Sequence, residues 1–242
     1  MHDLPAPPAD LLRDASLFLD FDGTLVEIAA TPDAVVVPDA LPALLSRLGT
    51  MLAGRVAIVS GRPAGEIRGH IGAEALVVGS HGLEFDRPGV AIDAPPRGSG
   101  LDAALAEARA FAVSHDGVLI EDKPFGVGLH YRGAPGCADA VAALGARLAD
   151  AHDLVLQPGK MVVELRLGGH DKGSAVARLM AEPAWSPTRP VVMGDDVTDE
   201  AAFAAASERG GAGILIGPMR DTAARYRLDG VAQALAWLEA AV

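Results

Sequence analysis

The chain has 242 residues, half of them apolar, one cysteine, and 32 acidic against 20 basic side chains, for a formal charge of −12. The apolar fraction excludes a disordered protein, and no stretch reaches the roughly 18 consecutive apolar residues of a membrane helix. One cysteine excludes an intramolecular disulfide and makes Cys137 a small hydrophobe, while the acidic balance argues against nucleic acid or an anionic membrane as partner.

Residues 1–12 lack the basic and apolar regions of a signal peptide, so the expected address is cytoplasmic. In chain order, an apolar run over 16–21 (SLFLDF) predicts a strand, and Leu41, Leu44, Leu45 and Leu48 give 39–52 a helical face. A strand over 55–60, a short helix over 65–71 and a strand over 76–79 follow. Short unalternating runs between helices are the mark of buried parallel strands. Turn signals at Pro88-Gly89 and 95–100 then open a different pattern. It comprises a helix over 101–112 with Ser99 and Asp102 as a capping box, a hairpin within 118–131 around Pro124 and Gly126, and a helix through Val141, Leu144 and Leu148. A second hairpin joins 154–157 to 161–167, with Pro158-Gly159 as a type II turn. Helices over 172–180, 198–207 and 231–238, with strands over 190–193 and 214–216, resume the first pattern. The expected architecture is a doubly wound, mostly parallel α/β sheet from 1–82 and 170–242, with an inserted α+β domain at 83–169. His81 and Glu84 fall at the expected hinge, where residues matter for lid positioning without touching a ligand.

Asp20 and Asp22 directly follow the first strand, with Gly23 allowing a sharp turn. Ligands bind beyond the carboxyl ends of parallel strands, and two like charges there need a cation or a proton between them. One carboxylate can then act as nucleophile or metal ligand and the other as acid and base; the pair alone also suits a polar strand end. A second cluster, 194–200 (GDDVTDE), follows another strand and places four carboxylates in six residues. Asp199 and Glu200 also suit the start of the following helix. Asp195 and Asp196 meet the first pair if the two strands are neighbours, and hard oxygen ligands without His or Cys point to Mg²⁺ rather than zinc. Ser60-Gly61-Arg62 ends the second strand and Lys172 opens a helix, offering a hydroxyl, loop amides and an ammonium to a phosphoryl group. The phosphate-loop GxxxxGK[ST], nucleophile-elbow GxSxG and dinucleotide GxGxxG patterns are absent.

Residues 20–25 (DFDGTL), Ser60, Lys172 and 195–199 resemble, in order and spacing, the four motifs of the haloacid dehalogenase superfamily of phosphatases, and the insertion resembles a type 2 cap. The segments DFDGTLVEI, VSGR, GSHGLE, EDKPFGVGLHYR, QPGKMVVELR, DKG and GDDVTDE resemble the trehalose-6-phosphate phosphatases within it, through core and cap alike. That resemblance implies that Asp20 is the nucleophile forming an aspartyl-phosphate and that Asp22 is the acid and base, oriented by Thr24. It implies Mg²⁺ on Asp20, the Asp22 carbonyl and Asp195, with Asp196 and Asp199 around it. It gives Ser60 and Lys172 the phosphoryl group, and Glu121, Arg132, Lys160 and Glu164 the sugar, under a cap that closes and excludes water. Arg62 is expected to pair with the acidic clusters. The implied partner is the small molecule trehalose 6-phosphate, with no nucleic acid, membrane or obligate protein partner. In the 161–167 strand, Glu164 and Arg166 share one face, which suits a hydroxyl-rich ligand and equally an ordinary solvated face. The three lysines (Lys123, Lys160, Lys172) all lie in these segments of an arginine-rich chain, so Arg is expected to substitute poorly at Lys160 and Lys172.

Overall fold

Runs of Val, Ile, Leu and Phe too short for helices become buried strands, and the leucine-spaced segments between them become the covering helices. The computed structural model describes residues 3–29, 34–72, 75–159 and 161–242. Its larger unit, 1–94 and 170–242, holds β1 (Ala15–Leu19), β2 (Val56–Val59), β3 (Leu76–Gly79), β4 (Glu84–Asp86), β9 (Arg189–Gly194), β10 (Ala212–Ile216) and β11 (Tyr226–Leu228) in one sheet. The smaller unit, 95–169, holds β5 (Leu119–Lys123), β6 (Gly126–His130), β7 (Leu154–Gly159) and β8 (Val162–Leu167) in a second.

The seven-stranded sheet runs β11-β10-β9-β1-β2-β3-β4 and is parallel except at β3–β4. Alternate side chains feed two cores. Leu17, Leu19, Ile58 and Met193 pack against α1 (Leu41–Met51), α2 (Ala64–Ile71) and α7 (Val231–Ala240). Phe18, Val78, Val192 and Leu215 pack against α5 (Lys172–Met180) and α6 (Glu200–Glu208). The four-stranded sheet runs β5-β6-β8-β7, all antiparallel. Its apolar face, including Val127, Leu129, Val163 and Leu165, is covered by α3 (Ser99–Val113) and α4 (Ala138–His152). No helix among the described residues is long and apolar enough to cross a membrane.

Three expectations change. The larger unit extends to Ala94 rather than 82, because Glu84–Asp86 pairs with β3 and Phe85 exchanges two backbone hydrogen bonds with Asp93 (2.8 and 3.0 Å). Short β4 and β11, both edge strands, carry little apolar signal. Ser99 does not cap α3: Gly98 holds the cap position, and Asp102 accepts instead from Arg97 Nε at 2.8 Å. Pro158 and Gly159 are not a turn but the end of β7, paired with Val163 and Val162. An edge strand tolerates a proline that donates nothing. Met161 follows with φ +64°. The expected α/β fold class, with a mostly parallel sheet, holds among the described residues.

Candidate active site

β1 lies between β9 and β2, the point at which strand order reverses. Asp20 follows β1, Ser60 follows β2 and Asp195 follows β9, so the apolar runs deliver all three polar ends to one sheet edge. Asp20 N donates to Met193 O at 2.9 Å, locking the β1 and β9 ends together. The chain then turns sharply: Leu25 N and Val26 N donate to Phe21 O (2.9 and 3.1 Å), and Gly23 N to Val26 O (2.7 Å). Gly23 has φ +81°, and a Cβ there would overlap the Asp195 carboxylate. Gly23→Ala is therefore expected to cost about 2 kcal/mol through backbone strain alone. It should also displace Asp195, lowering the thermal unfolding midpoint and phosphate release together.

Lys172 opens α5, whose start is fixed by a reciprocal cap: Ser174 N donates to Asp171 Oδ1 (2.6 Å) and Asp171 N to Ser174 Oγ (2.9 Å). Lys172 Nζ donates to Asp20 Oδ1 and to Asp199 Oδ1, both at 2.6 Å. All three side chains are buried. Asp199 Oδ2 accepts from Asp196 N at 3.0 Å. Burial pushes the Asp20 carboxyl up to about 7, against the pull of Lys172 and helped by the charges of Asp199 and Asp195. Burial also works against the Lys172 ammonium, but Asp20 and Asp199 outweigh it and hold its pKa above the usual lysine range. Asp195 is raised to about 6 by burial and by Asp199 and Asp196.

Burial is the main cause of both raised values, and one ammonium faces the three carboxylates. Asp20 Oδ2 is buried and makes no hydrogen bond. Asp20, Asp195 and Asp199 offer oxygens within 4.8 Å of one another. An orphaned carboxylate oxygen inside an all-oxygen donor set fits a hard cation.

Asp22 is held apart from this cluster by Arg62, whose Nε and Nη2 donate to its two oxygens at 2.6 and 2.8 Å. Arg62 also pairs with Glu66. The hydrogen bond to Asp22 is the main cause of a guanidinium pKa above its usual value. The pairing expected of Arg62 is thus with Asp22. The Thr24 hydroxyl, expected to orient Asp22, is buried without a hydrogen bond, and the side chain that binds Asp22 is Arg62. Asp196 is exposed and caps the short turn over Val197–Asp199, accepting from Val197 N at 2.6 Å. Ser60 is buried, and its Oγ accepts from Arg62 N at 3.1 Å.

One neighbour escaped the sequence reading. Arg220 Nη2 donates to Asp196 O at 2.7 Å and pairs with Glu200, whose other oxygen accepts from Ala223 N at 2.7 Å. A lone Arg after a glycine-rich strand carries no signal for this. His81 and Glu84, expected at a hinge, stand beside the Ser60 loop within the larger unit. Ser80, His81 and Gly82 all have positive φ (47°, 56° and 103°), a conformation that costs about 1–2 kcal/mol for each non-glycine residue.

In the smaller unit, Glu121, Gly128, Glu164 and Gln157 form one cross-strand row, and Lys123, Gly126 and Arg166 form the next. The polar face therefore has carboxylates and cations on its flanking strands and two glycines down the centre of β6. Lys123 Nζ donates to Glu164 Oε2 at 2.6 Å, and His130 Nε2 is 2.8 Å from Glu121 Oε2. The His130 hydrogen bond, with Lys123 adding to it, holds Glu121 below the usual carboxylate range despite partial burial. Arg132 lies exposed just beyond β6. Lys160 lies outside the described residues.

The fold superposes on a haloacid dehalogenase-like hydrolase of Bacteroides thetaiotaomicron with a TM-score of 0.68 at 16% identity, covering 94% of this chain and 99% of that one. Residues 18–232 match the family model for trehalose-phosphatase. A protein of Sinorhizobium fredii named "probable trehalose-phosphate phosphatase" is 40% identical over 212 residues, 86% of this chain and 79% of that one. The trehalose-6-phosphate phosphatase of Escherichia coli is 37% identical over 232 residues, 92% and 84% of the two chains. A crystal structure of a trehalose-6-phosphate phosphatase related protein superposes with a TM-score of 0.77 at 27% identity, covering 92% of this chain and 95% of that one. The chain belongs to the trehalose-phosphatase family, and so to the phosphatases.

Proposed function

We propose that the chain releases phosphate from trehalose 6-phosphate in a Mg²⁺-dependent reaction through an aspartyl-phosphate on Asp20. The observation carrying this reading is the Asp20 carboxylate, buried at the strand switch point with one oxygen on Lys172 and the other unpartnered. The relatives named for this substrate support it.

In the first step an Asp20 oxygen attacks phosphorus, the bond from phosphorus to the sugar oxygen breaks, and Asp22 gives its proton to the departing oxygen. In the second, Asp22 takes a proton from water as that water attacks the same phosphorus, freeing phosphate and restoring the Asp20 carboxylate. Lys172, the Ser60 hydroxyl and the Gly61 N–H bind the phosphoryl oxygens, and Arg62 orients Asp22. Asp20, Asp195 and the Asp22 carbonyl would hold Mg²⁺, with Asp199 steadied against Lys172. Mg²⁺, when bound, offsets negative charge on the phosphoryl oxygens. Glu121, Arg132, Lys160 and Glu164 bind the sugar, joined by Lys123 and His130.

A phosphate-release panel of sugar phosphates tests this. Trehalose 6-phosphate should be turned over best, and activity should vanish with chelator and return with Mg²⁺. Glu164→Ala and Lys160→Ala should each lose about tenfold or more on trehalose 6-phosphate, the scale of one charge-assisted hydrogen bond, while p-nitrophenyl phosphate turnover stays within about twofold. Equal losses on both substrates would remove the sugar-recognition role; a preference for another phosphate ester would replace the substrate.

A further inference from the structure

Glu84 is a buried carboxylate that no step above uses. Its Oε2 accepts from Ser80 Oγ at 2.6 Å and from Ala64 N at 3.0 Å. It thereby caps α2 from outside, where the positive end of the helix favours a carboxylate, and grips the turn after β3. That turn is zipped to the Ser60 loop by two backbone bonds, Ser80 N to Arg62 O (2.8 Å) and His81 N to Ser60 O (3.0 Å). The His81 ring lies directly on Gly61: a Cβ at Gly61 would stand 2.6 Å from both Cε1 and Nε2.

We infer that Glu84, Ser80 and His81 are positioning residues for the phosphoryl-binding loop 60–62, the buried carboxylate holding a left-handed turn that presses the His81 ring onto Gly61. The inference rests on the phosphatase reading and deepens it. Consecutive non-glycine residues at φ 47° and 56° persist only where the surroundings over-determine them, and such strain gathers at functional sites. A turn needing only its backbone shape is served better by Gly or Asn at position 81. What His adds is the ring, and the ring meets Gly61. Ser60 N and Arg62 N are already engaged, by Val78 O and by Ser60 Oγ, so the ring fixes the part of the loop that backbone pairing does not.

The test uses His81→Gly and Ser80→Ala in the full chain. It reads kcat and KM on p-nitrophenyl phosphate, the Kd of inorganic phosphate by calorimetry with Mg²⁺, and the thermal midpoint. Removing a strained side chain should leave the His81→Gly midpoint at or above wild type. Yet its phosphate Kd and KM should rise about tenfold with kcat nearly unchanged, as expected for loss of binding shared by ground and transition states. Ser80→Ala should shift Kd in the same direction by less. A His81→Gly protein with wild-type Kd overturns the inference, whatever its midpoint. A raised Kd in His81→Gly alone removes Ser80 and Glu84 from it. A wild-type chain that neither hydrolyses nor binds phosphate overturns the phosphatase reading, and this one with it; an active wild type isolates the present claim.

Discussion

Asp20→Asn is expected to abolish phosphate release, by about 10⁴-fold or more, without lowering the thermal midpoint. The amide is isosteric but a poor nucleophile, so the loss is chemical and not structural. Stability should hold because the wild-type carboxylate is itself a burden. It is buried, its pKa is raised to about 7, and one oxygen has no partner. A neutral side chain of the same shape avoids that desolvation cost, in the common pattern of active-site residues that oppose stability. Phosphate release and thermal unfolding of the same preparation check both halves. Comparable turnover in the variant would sink the covalent mechanism, and a large drop in midpoint would show that Asp20 is chiefly structural.

Lys172→Met should damage both. The buried ammonium lies 2.6 Å from both Asp20 and Asp199. Removing one partner of a buried ion pair typically costs about 3–5 kcal/mol, because the remaining charge is stranded. For a chain of this size that corresponds to a fall in midpoint on the order of 10 °C. Asp20→Asn added to Lys172→Met should recover part of that loss by removing one stranded carboxylate, and failure to recover would place the cost elsewhere. Lys172→Arg should also be inactive, since a planar guanidinium fork does not replace a compact ammonium reaching two carboxylates from a site only 4% exposed.

The core was legible because its strands are apolar runs that stop at a chemically different residue. Leu19 gives way to Asp20, Val59 to Ser60, and Gly194 to Asp195, so the sequence marks both the strand and the place where its ligand-binding end begins. What stayed hidden depends on pairing. Glu84–Asp86 and Tyr226–Leu228 are three-residue edge strands that owe their form to one neighbour, and polar residues tolerate an edge. Pro158 reads as a turn former, and only the edge position of β7 makes it a strand residue. The carboxylates and cations of 121–166 were visible, but the placement of Gly126 and Gly128 between them needs the register of three strands. Arg220 and Glu84 act through long-range bonds to Asp196 and Ala64 that no local pattern predicts.

The boundary at Ala94 also bears on how the proposed roles are laid out along the chain. Everything on which the phosphoryl loop leans, from Ser60 through the left-handed turn to Glu84 and the Phe85–Asp93 bridge that closes the sheet edge, is encoded before the chain leaves the larger unit. The 75-residue stretch over 95–169 contributes none of these contacts. On the proposed reading, the residues assigned to the sugar and those of the Ser60 loop are thus encoded in separate stretches of sequence, divided just after the edge strand closes.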